Sequence, residues 1–255
     1  MPSRPLVRRA FLTASAVAAL TMAASASAWS WSWGDGEAVK GDGKTLRETR
    51  ALSGFDGVRV AGNFDVRLRQ GNAAKAELEG DGNLLAYVET RVVDGAKGKS
   101  LEIGVRKGYN LQSRQPIRID VEMPSLRAVA VAGSGKVAVD SFKSGELTFS
   151  VAGSGDVVAP QVSADKLTMS IAGSGDIAAG GRATEVHVSI AGSGDVKAAD
   201  LAGDEVKVSI AGSGNAAVQA AKRLKVSIAG SGDVSYSGAA EVSSSVSGSG
   251  SVKKR

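Results

Sequence analysis

A six-residue motif recurs seven times between residues 131 and 251, and this repeat constrains the fold more than any other feature of the chain. Each copy contains Val or Ile, a small residue, Gly-Ser-Gly and then most often Asp. The first glycines of the copies are Gly133, Gly153, Gly173, Gly192, Gly212, Gly230 and Gly248. Their spacing of 18 to 20 residues is typical of a solenoid, in which each coil buries its apolar side only against neighbouring coils.

The residues around each bend alternate in the manner of β-strands. Val186, Val188 and Ile190 stand two residues apart, which places three apolar side chains on one strand face before the bend. A second short strand follows the bend, with Val196 as its first inward residue. Because successive coils run in the same direction, their strands must pair in parallel, and crossover handedness favours a right-handed coil. The sequence therefore predicts an all-β protein, a right-handed parallel β-helix with 18–20 residues per coil.

The predicted domain spans residues 51–252, with irregular β-rich coils in residues 51–130 and the Gly-Ser-Gly coils in residues 131–252. Turn-forming clusters of Gly, Asp and Asn separate the alternating runs of the irregular part. Residues 84–88 are the stretch whose pattern suggests a short helix. We expect the basic residues 253–255 to form a tail that keeps the open end of the solenoid charged.

The start of the chain has the pattern of an export signal. In residues 1–28, three arginines precede a mostly apolar run that is too short to span a bilayer, and a small-residue cleavage site follows. Residues 29–50, which contain Trp29, Trp31 and Trp33, lack apolar periodicity and are predicted to form a flexible leader. We therefore expect an exported protein that is periplasmic, attached to the cell surface or secreted.

Charge and cysteine content argue against several classes of protein. The predicted signal removes three arginines and no acid, so the mature chain keeps 28 basic and 26 acidic residues. A net charge near +2 gives no basis for nucleic-acid binding, which needs a concentrated basic patch. The absence of cysteine excludes a disulfide framework and a lipid-anchored cysteine. We expect no transmembrane segment after removal of the signal.

Several short motifs precede the repeats in a fixed order. They are Phe55-Asp56-Gly57-Val58, Gly62-Asn63-Phe64-Asp65-Val66, Gly80-Asp81-Gly82-Asn83-Leu84-Leu85, Ile117-Arg118-Ile119 and Pro124-Ser125-Leu126. In order and spacing, these motifs and the repeats resemble the head GIN domain of the auto-transporter adhesin family, over about residues 54 to 250. The resemblance implies an exported bacterial β-helical protein that functions in adhesion, and it supplies no catalytic residues.

Aspartates follow the bend in four of the coils, as Asp156, Asp176, Asp195 and Asp233. Glycine-rich calcium repeats place Gly-Gly-x-Gly-x-Asp about every nine residues, whereas here Asp follows Gly directly and recurs about every twenty. One carboxylate per coil also falls short of the six or more oxygens that calcium prefers. We interpret these residues as turn-forming aspartates that bond local backbone, and we expect neither a metal nor a cofactor.

Serines recur in every coil, but nothing near them predicts catalysis. A serine nucleophile requires a positioned base, and the chain has a single histidine, His187, and no cysteine. The column neighbours of His187 include no acid that could orient it, so we expect an exposed surface histidine and no enzymatic activity. A β-helical carbohydrate-active enzyme, such as a polysaccharide lyase or hydrolase, is one alternative, and a purely structural envelope protein is another.

The outward columns of the strand before each bend form the candidate binding surface. They repeat small hydroxyl and basic side chains in every coil, a pattern that favours weak multivalent contact over a single shaped pocket. The expected partner is a surface ligand, either a glycan or another component of the envelope. The candidate residues are Thr148, Ser150, Thr168, Ser170, His187, Ser189, Lys207, Ser209, Lys225 and Ser227.

Overall fold

The computed structural model describes residues 36–95 and 97–255. The predicted signal peptide and the three tryptophans of the leader lie outside the described residues. Within the described part, the chain forms nineteen strands and one short helix. The first nine strands are β1 Glu37–Lys40, β2 Thr45–Ala51, β3 Gly57–Ala61, β4 Phe64–Gln70, β5 Lys75–Asp81, β6 Val88–Gly95, β7 Gly98–Val105, β8 Tyr109–Gln112 and β9 Ile117–Met123. The helix is α1 Gly82–Leu85, between β5 and β6.

The remaining ten strands build the repeat region. They are β10 Ala128–Gly133, β11 Lys136–Val139, β12 Phe142–Gly153, β13 Asp156–Gly173, β14 Ile177–Gly192, β15 Val196–Gly212, β16 Ala216–Gly230, β17 Asp233–Ser237, β18 Glu241–Gly248 and β19 Ser251–Lys254. All of them pair in parallel with their neighbours of the stack, giving a β-solenoid of about six turns. The predicted all-β solenoid, preceded by a less regular sheet, is confirmed, and the right-handed sense of the coil stays a prediction.

Each coil has three sides, which we name by their position relative to the Gly-Ser-Gly bend. In β13, residues 167–173 form the first side, which ends at a bend, while residues 156–159 form the second side, which begins after the preceding bend. Residues 162–166 form the third side and return the chain to the next first side. Inward side chains alternate with outward ones on the first side, and Ile190 pairs in register with Ile171 and Ile210. The core is therefore a set of stacked apolar columns.

Glycine is required at the bends because the coils approach each other there through their backbones. Gly192 has a φ of 131°, a conformation that L side chains rarely adopt. A Cβ atom at this position would also clash with the carbonyl oxygen of Gly173 in the neighbouring coil. Gly194 has no such φ, but a Cβ atom there would meet the carbonyl oxygen of Gly175. The repeated glycines thus permit the close stacking of one bend on the next.

The stacking order of the coils differs from their order in the chain at the N-terminal end. Strand β3 lies between β7 and β10, and β4 lies between β9 and β11, with all four pairings parallel. The coil built from β3 and β4 is therefore second in the stack, behind the coil that contains β7 and β9. This order cannot be predicted from the sequence, because the irregular part has no repeat that would reveal it.

Antiparallel strands close this end of the solenoid. Strand β6 pairs with β7, β5 pairs with β9, and β2 pairs with the outer edge of β5. The short helix predicted at residues 84–88 is present, but it covers Gly82–Leu85, and Val88 already belongs to β6. Its buried residues are Leu84 and Leu85.

The prediction of a flexible leader across residues 29–50 is wrong for its second half. Strand β1 pairs in parallel with β8, and β2 pairs antiparallel with β5 along its whole length. Arg50 donates from its guanidinium to the carbonyl oxygens of Val88 and Leu85, at 2.7 and 3.0 Å. Backbone pairing and this arginine order a segment that is almost entirely exposed, so it has no apolar alternation for the sequence to reveal.

The other end of the stack is a polar, open coil. Strand β18 is exposed along its whole length, and the inward residues Val242 and Val246 retain 36% and 42% of their surface. The prediction that a separate basic tail begins at residue 253 is wrong, because Lys253 and Lys254 pair with Ser235 and Tyr236 inside β19. Their side chains nevertheless remain exposed at the open end.

Candidate binding surface

The ten predicted binding residues lie together on the first side of the solenoid. Backbone register aligns them in two neighbouring columns, one of hydroxyl and basic residues and one of serines only. We call the two columns together the hydroxyl face. Its columns are Thr148, Thr168, His187, Lys207 and Lys225, and Ser150, Ser170, Ser189, Ser209 and Ser227.

The hydroxyl face is regular because buried residues hold every second position of each strand. Phe149, Met169 and Val188 separate the two columns in successive coils and are buried in the core. Members of a column are therefore about 4.8 Å apart, and the two columns are separated by about 6.6 Å along the strands. The face becomes more open toward the C-terminus, since Thr148 is half-buried whereas Lys225 is exposed.

A shallow groove of about 430 Å³ borders the C-terminal half of the hydroxyl face. Its lining combines His187, Lys207 and Lys225 with a neighbouring column that contains Glu185 and Glu205. Arg223 also lines the groove and forms an ion pair with Glu205. Acidic and basic side chains thus alternate across the groove, which suits hydroxyl-rich or zwitterionic ligands more than a strongly charged polymer.

An ion network around one buried glutamate closes the N-terminal end of the serine column. In register, this column continues through Ala130 to Arg59 and Glu102. Glu102 is only 8% exposed, and its two oxygens lie 3.5 Å from Arg59 Nη1 and 2.9 Å from Arg91 Nε. Both arginines offset the cost of burying the carboxylate, and the hydroxyl face ends where this network begins.

His187 lies in the mixed column of the hydroxyl face. In register, its neighbours are Thr168 and Lys207, and neither can orient the imidazole as an acid would. Among residues 36–95 and 97–255, no hydrogen bond joins His187 to a serine or to a carboxylate. The serines of the face consequently lack the positioned base that a nucleophile needs.

The aspartates after the bends join one coil to the next. Asp156 Oδ1 accepts the backbone N–H of Asp176 at 3.2 Å, and Asp176 Oδ1 accepts that of Asp195 at 3.0 Å. Asp195 Oδ1 in turn accepts the N–H of Asn215 at 2.9 Å, and Asp233 closes the series by accepting from Ser251. The prediction that these side chains bond local backbone is thus corrected, because they bond the following coil. We call this series the Asx ladder.

Asp176 of the Asx ladder also forms an ion pair, with Lys197. Partial burial acts to raise the pKa of its carboxyl group, but the hydrogen bond from Lys197, at 2.7 Å, and the N–H of Asp195 outweigh it, so the pKa is lowered. No group of three or more Asp, Glu, His or Cys side chains suited to a metal ion occurs in the described part of the chain.

The motifs shared with the adhesin family have structural roles. Asp56 receives two hydrogen bonds from the Arg127 guanidinium, at 3.1 and 2.9 Å, which fix the entry into β3 and β10. Gly57 lies so close to Ser100 of the preceding coil in the stack that a Cβ atom would meet its hydroxyl. Gly57 is in register with Thr148 through Ala128, so it continues one column of the hydroxyl face toward the N-terminal end of the stack.

The family can be assigned by comparison with known proteins. The model of the family described as putative auto-transporter adhesin, head GIN domain, matches residues 54–240. The chain belongs to this family. The resemblance inferred from the motifs is therefore confirmed, and it covers most of the solenoid and its N-terminal cap. A search of proteins with curated functions gave no significant match.

Solved structures of bacterial proteins share the fold. A putative lipid binding protein from Parabacteroides distasonis has 26% identity and a TM-score of 0.71, covering 86% of this chain and 100% of that chain. A putative adhesin from Parabacteroides merdae has 26% identity and a TM-score of 0.68, covering 86% and 99%. A putative adhesin from Bacteroides fragilis has a TM-score of 0.77 at 20% identity, covering 85% and 100%, and shows the fold alone. Within the described residues, no helix is both long and apolar enough to cross a bilayer.

Proposed function

We propose that this head GIN protein is an exported, non-catalytic binding protein whose hydroxyl face contacts a repetitive surface ligand. The observation that carries the proposal is the register of the first side, which aligns ten hydroxyl and basic side chains in two straight columns. Membership of an adhesin family supports the same function, as does the similarity to the putative adhesin from Parabacteroides merdae.

Contact along this face is multivalent. Each coil offers one hydroxyl group of the serine column and one residue of the mixed column, so a ligand gains affinity by touching several coils at once. The face is flat and lacks the enclosed, mostly apolar pocket that is typical of sites for a single small molecule. A long ligand that presents the same group repeatedly fits this surface better than an isolated molecule does.

The ligand class follows from the side chains of the face. Serine and threonine hydroxyls and lysine ammonium groups donate hydrogen bonds, and sugars supply matching hydroxyl acceptors. We therefore propose a glycan or another component of the bacterial envelope as the partner. One neighbour of known structure is described as a putative lipid binding protein, which makes glycolipids a natural part of the same screen. The signal-like residues 1–28 support export to the periplasm or the cell surface.

Coil deletion tests the proposal directly. Gly192 and Gly212 occupy equivalent positions in successive bends, and each is followed by a serine. Removing residues 193–212 therefore joins Gly192 to Ser213 and shortens the face by one coil, while both ends of the solenoid stay intact. We expect binding to a glycan array or to envelope fragments to weaken stepwise with each coil removed. Loss of all binding from His187→Ala alone, or release of products from a panel of polysaccharides, would contradict the proposal.

A matched pair of triple variants localises the contact. Ser170→Tyr, Ser189→Tyr and Ser209→Tyr together obstruct the serine column in three adjacent coils. The control places tyrosines at Ala178, Ala217 and Ser235, which are outward positions of the second side. We expect the first variant to lose binding and the control to retain it. Equal binding by the two variants would show that the ligand does not bind at the hydroxyl face.

A further inference from the structure

A second surface, on the third side of the solenoid, has a different chemistry from the hydroxyl face. A groove of about 380 Å³ lies where β4, β12, β13 and β14 come together. We call it the basic groove. Its polar lining is Gln70, Ser141, Lys143, Gln161, Ser163 and Arg182, which includes two cations and no carboxylate. The other grooves described on this chain contain acids, for example Glu185, Asp165 and Asp195.

Lys143 and Arg182 lie on either side of Ser163 in the stack of coils. Lys143 is in register with Ser163, and Ser163 is in register with Arg182, so the cations stand two coils apart, at roughly 10 Å, with the hydroxyl between them. Arg182 Nε donates to Ser163 Oγ at 3.3 Å, which orients the guanidinium along the groove. Within the described residues neither Lys143 nor Arg182 forms an ion pair, whereas Lys197, Lys222 and Arg223 in the following two coils all do.

The acids around the basic groove do not pair with its cations. Asp140 precedes Ser141 in the chain, but its two oxygens accept hydrogen bonds from Arg67, at 3.0 to 3.2 Å. Asp165 and Asp204 line an adjoining groove that shares Lys143, Ser163 and Arg182, but Asp204 is paired with Lys222, and within the described residues neither acid forms an ion pair with Lys143 or Arg182. Both cations are therefore available to a ligand in the basic groove.

A β-bulge shapes the groove. Ala159 pairs with Ala179 and Val162 pairs with Gly181, so that Pro160 and Gln161 together oppose a single residue of β14. Bulges of this kind re-aim a side chain, and here the bulge brings the Gln161 amide to the rim. Across the groove, Gln70 is fixed by donating from Nε2 to the carbonyl oxygen of Pro124 at 3.0 Å. Its Oε1 accepts no hydrogen bond from the residues that the structure describes, so it can accept one from a ligand.

The floor of the groove is apolar. Phe142 and Val162 are buried beneath the polar rim, and the exposed Gly181 continues their column in register. An apolar floor with a few convergent polar groups is the usual composition of a small-molecule site, and the volume lies at the lower end of the range for such sites. The groove is thus large enough for one sugar ring and too small for an extended polymer.

We propose that the basic groove binds a single anionic sugar residue. Arg182 and Lys143 bind its carboxylate or phosphate, because a guanidinium matches either anion with two parallel hydrogen bonds and the ammonium adds a point charge. The amides of Gln70 and Gln161 and the hydroxyl of Ser141 bind the ring hydroxyls. This site shares no residue with the hydroxyl face, so it adds a terminal or branch-point contact independent of that face.

Titration of the full-length protein with four small probes tests this site. Isothermal calorimetry with glucuronate and glucose 6-phosphate distinguishes the two anions, while glucose and inorganic phosphate test each half of the ligand alone. We expect one or both anionic sugars to bind at least about tenfold more tightly than glucose and than inorganic phosphate. Arg182→Gln and Lys143→Gln should each lower that affinity by roughly ten- to hundredfold.

A charge-matched control tests whether any exposed cation would give the same effect. Lys254→Gln removes an exposed charge at the open end of the solenoid, outside both binding surfaces, and should leave the affinity for the anionic sugars unchanged. Three results would overturn the proposal: no anionic sugar binding, binding unaffected by Arg182→Gln, or inorganic phosphate binding as tightly as glucose 6-phosphate. None of these results bears on the coil-deletion test, since that experiment measures a different face.

Discussion

At the scale of single residues, the position within the alternation decides what a substitution does. Ile190 is 1% exposed and stacks between Ile171 and Ile210, while Ser189, its neighbour in the chain, is exposed on the hydroxyl face. The two residues share backbone conformation and strand, so a difference between their variants reports on burial alone. This makes the pair a direct probe of the register.

Ile190→Lys should destabilise the protein by more than about 3 kcal/mol, because it removes a buried isoleucine and leaves an ammonium group without a partner in the core. Ser189→Lys should change the free energy of unfolding by less than about 0.5 kcal/mol. Urea denaturation of the two variants checks the expectation. Similar losses of stability in both would show that the assigned register is wrong.

The bend glycines make a second residue-scale prediction. Gly192→Ala should cost about 1–3 kcal/mol, because alanine is strained at a φ of 131° and its Cβ would press on the carbonyl oxygen of Gly173. Ala191→Ser, one residue earlier and exposed, is the control and should be nearly neutral. Thermal melts of both variants measure the difference, and a neutral Gly192→Ala would argue against close stacking of the bends.

At the scale of elements, the second side is held by the Asx ladder as well as by strand pairing. The carboxylate of Asp176 accepts the N–H of Asp195 and pairs with Lys197, so it joins two coils through both backbone and side chain. The lowered pKa of Asp176 means that the folded state favours the ionised form. Its contribution to stability is therefore present above the ordinary pKa of 3.8 and is lost as the pH falls through the lower folded-state value.

Asp176→Asn tests this pH dependence, because asparagine keeps the Oδ1 acceptor and loses the charge. We expect the variant to be less stable than the wild type at pH 7, and the gap to narrow as the pH is lowered toward 3. Lys197→Gln should show the same narrowing, and the double variant should lose less than the sum of the two single variants. Urea melts across this pH range measure all three, and a constant gap would exclude the ion pair as the cause.

Elements also differ in how far the sequence predicts them. The repeat coils are predictable because one period fixes both the bend and the alternation, and the ten residues of the hydroxyl face follow from that register. Strand β2 is not predictable in this way, since its exposed side chains give no pattern and its partner β5 is non-local. The basic groove cannot be predicted from the sequence for a related reason. Gln70 and Arg182 come together only through the stacking of coils. The bulge at Gln161 has no sequence signal beyond Pro160.

At the scale of the whole molecule, we expect the solenoid to be stable without calcium. The Oδ1 oxygens of the aspartates in the Asx ladder already accept hydrogen bonds from backbone N–H groups of the next coil. In addition, one carboxylate per coil supplies too few oxygens to coordinate a calcium ion. Thermal melts with excess chelator and with millimolar calcium should therefore coincide. A clear rise of the midpoint with calcium would contradict this, since a ligand that binds the native state must stabilise it.

The position of the β3 and β4 coil, second in the stack although first in the chain, has a consequence for biogenesis. When a polypeptide emerges N-terminus first, residues 57–70 appear well before β7, β9 and β10, on which both of their edges depend. Long-range pairings of this kind form slowly, and unpaired edges invite association in the meantime. The repeat coils face no such delay, because each one docks on an edge that the preceding coil has already completed. We therefore expect residues 57–70 to fold more slowly than the repeat coils and to be the part of the chain on which a chaperone would act.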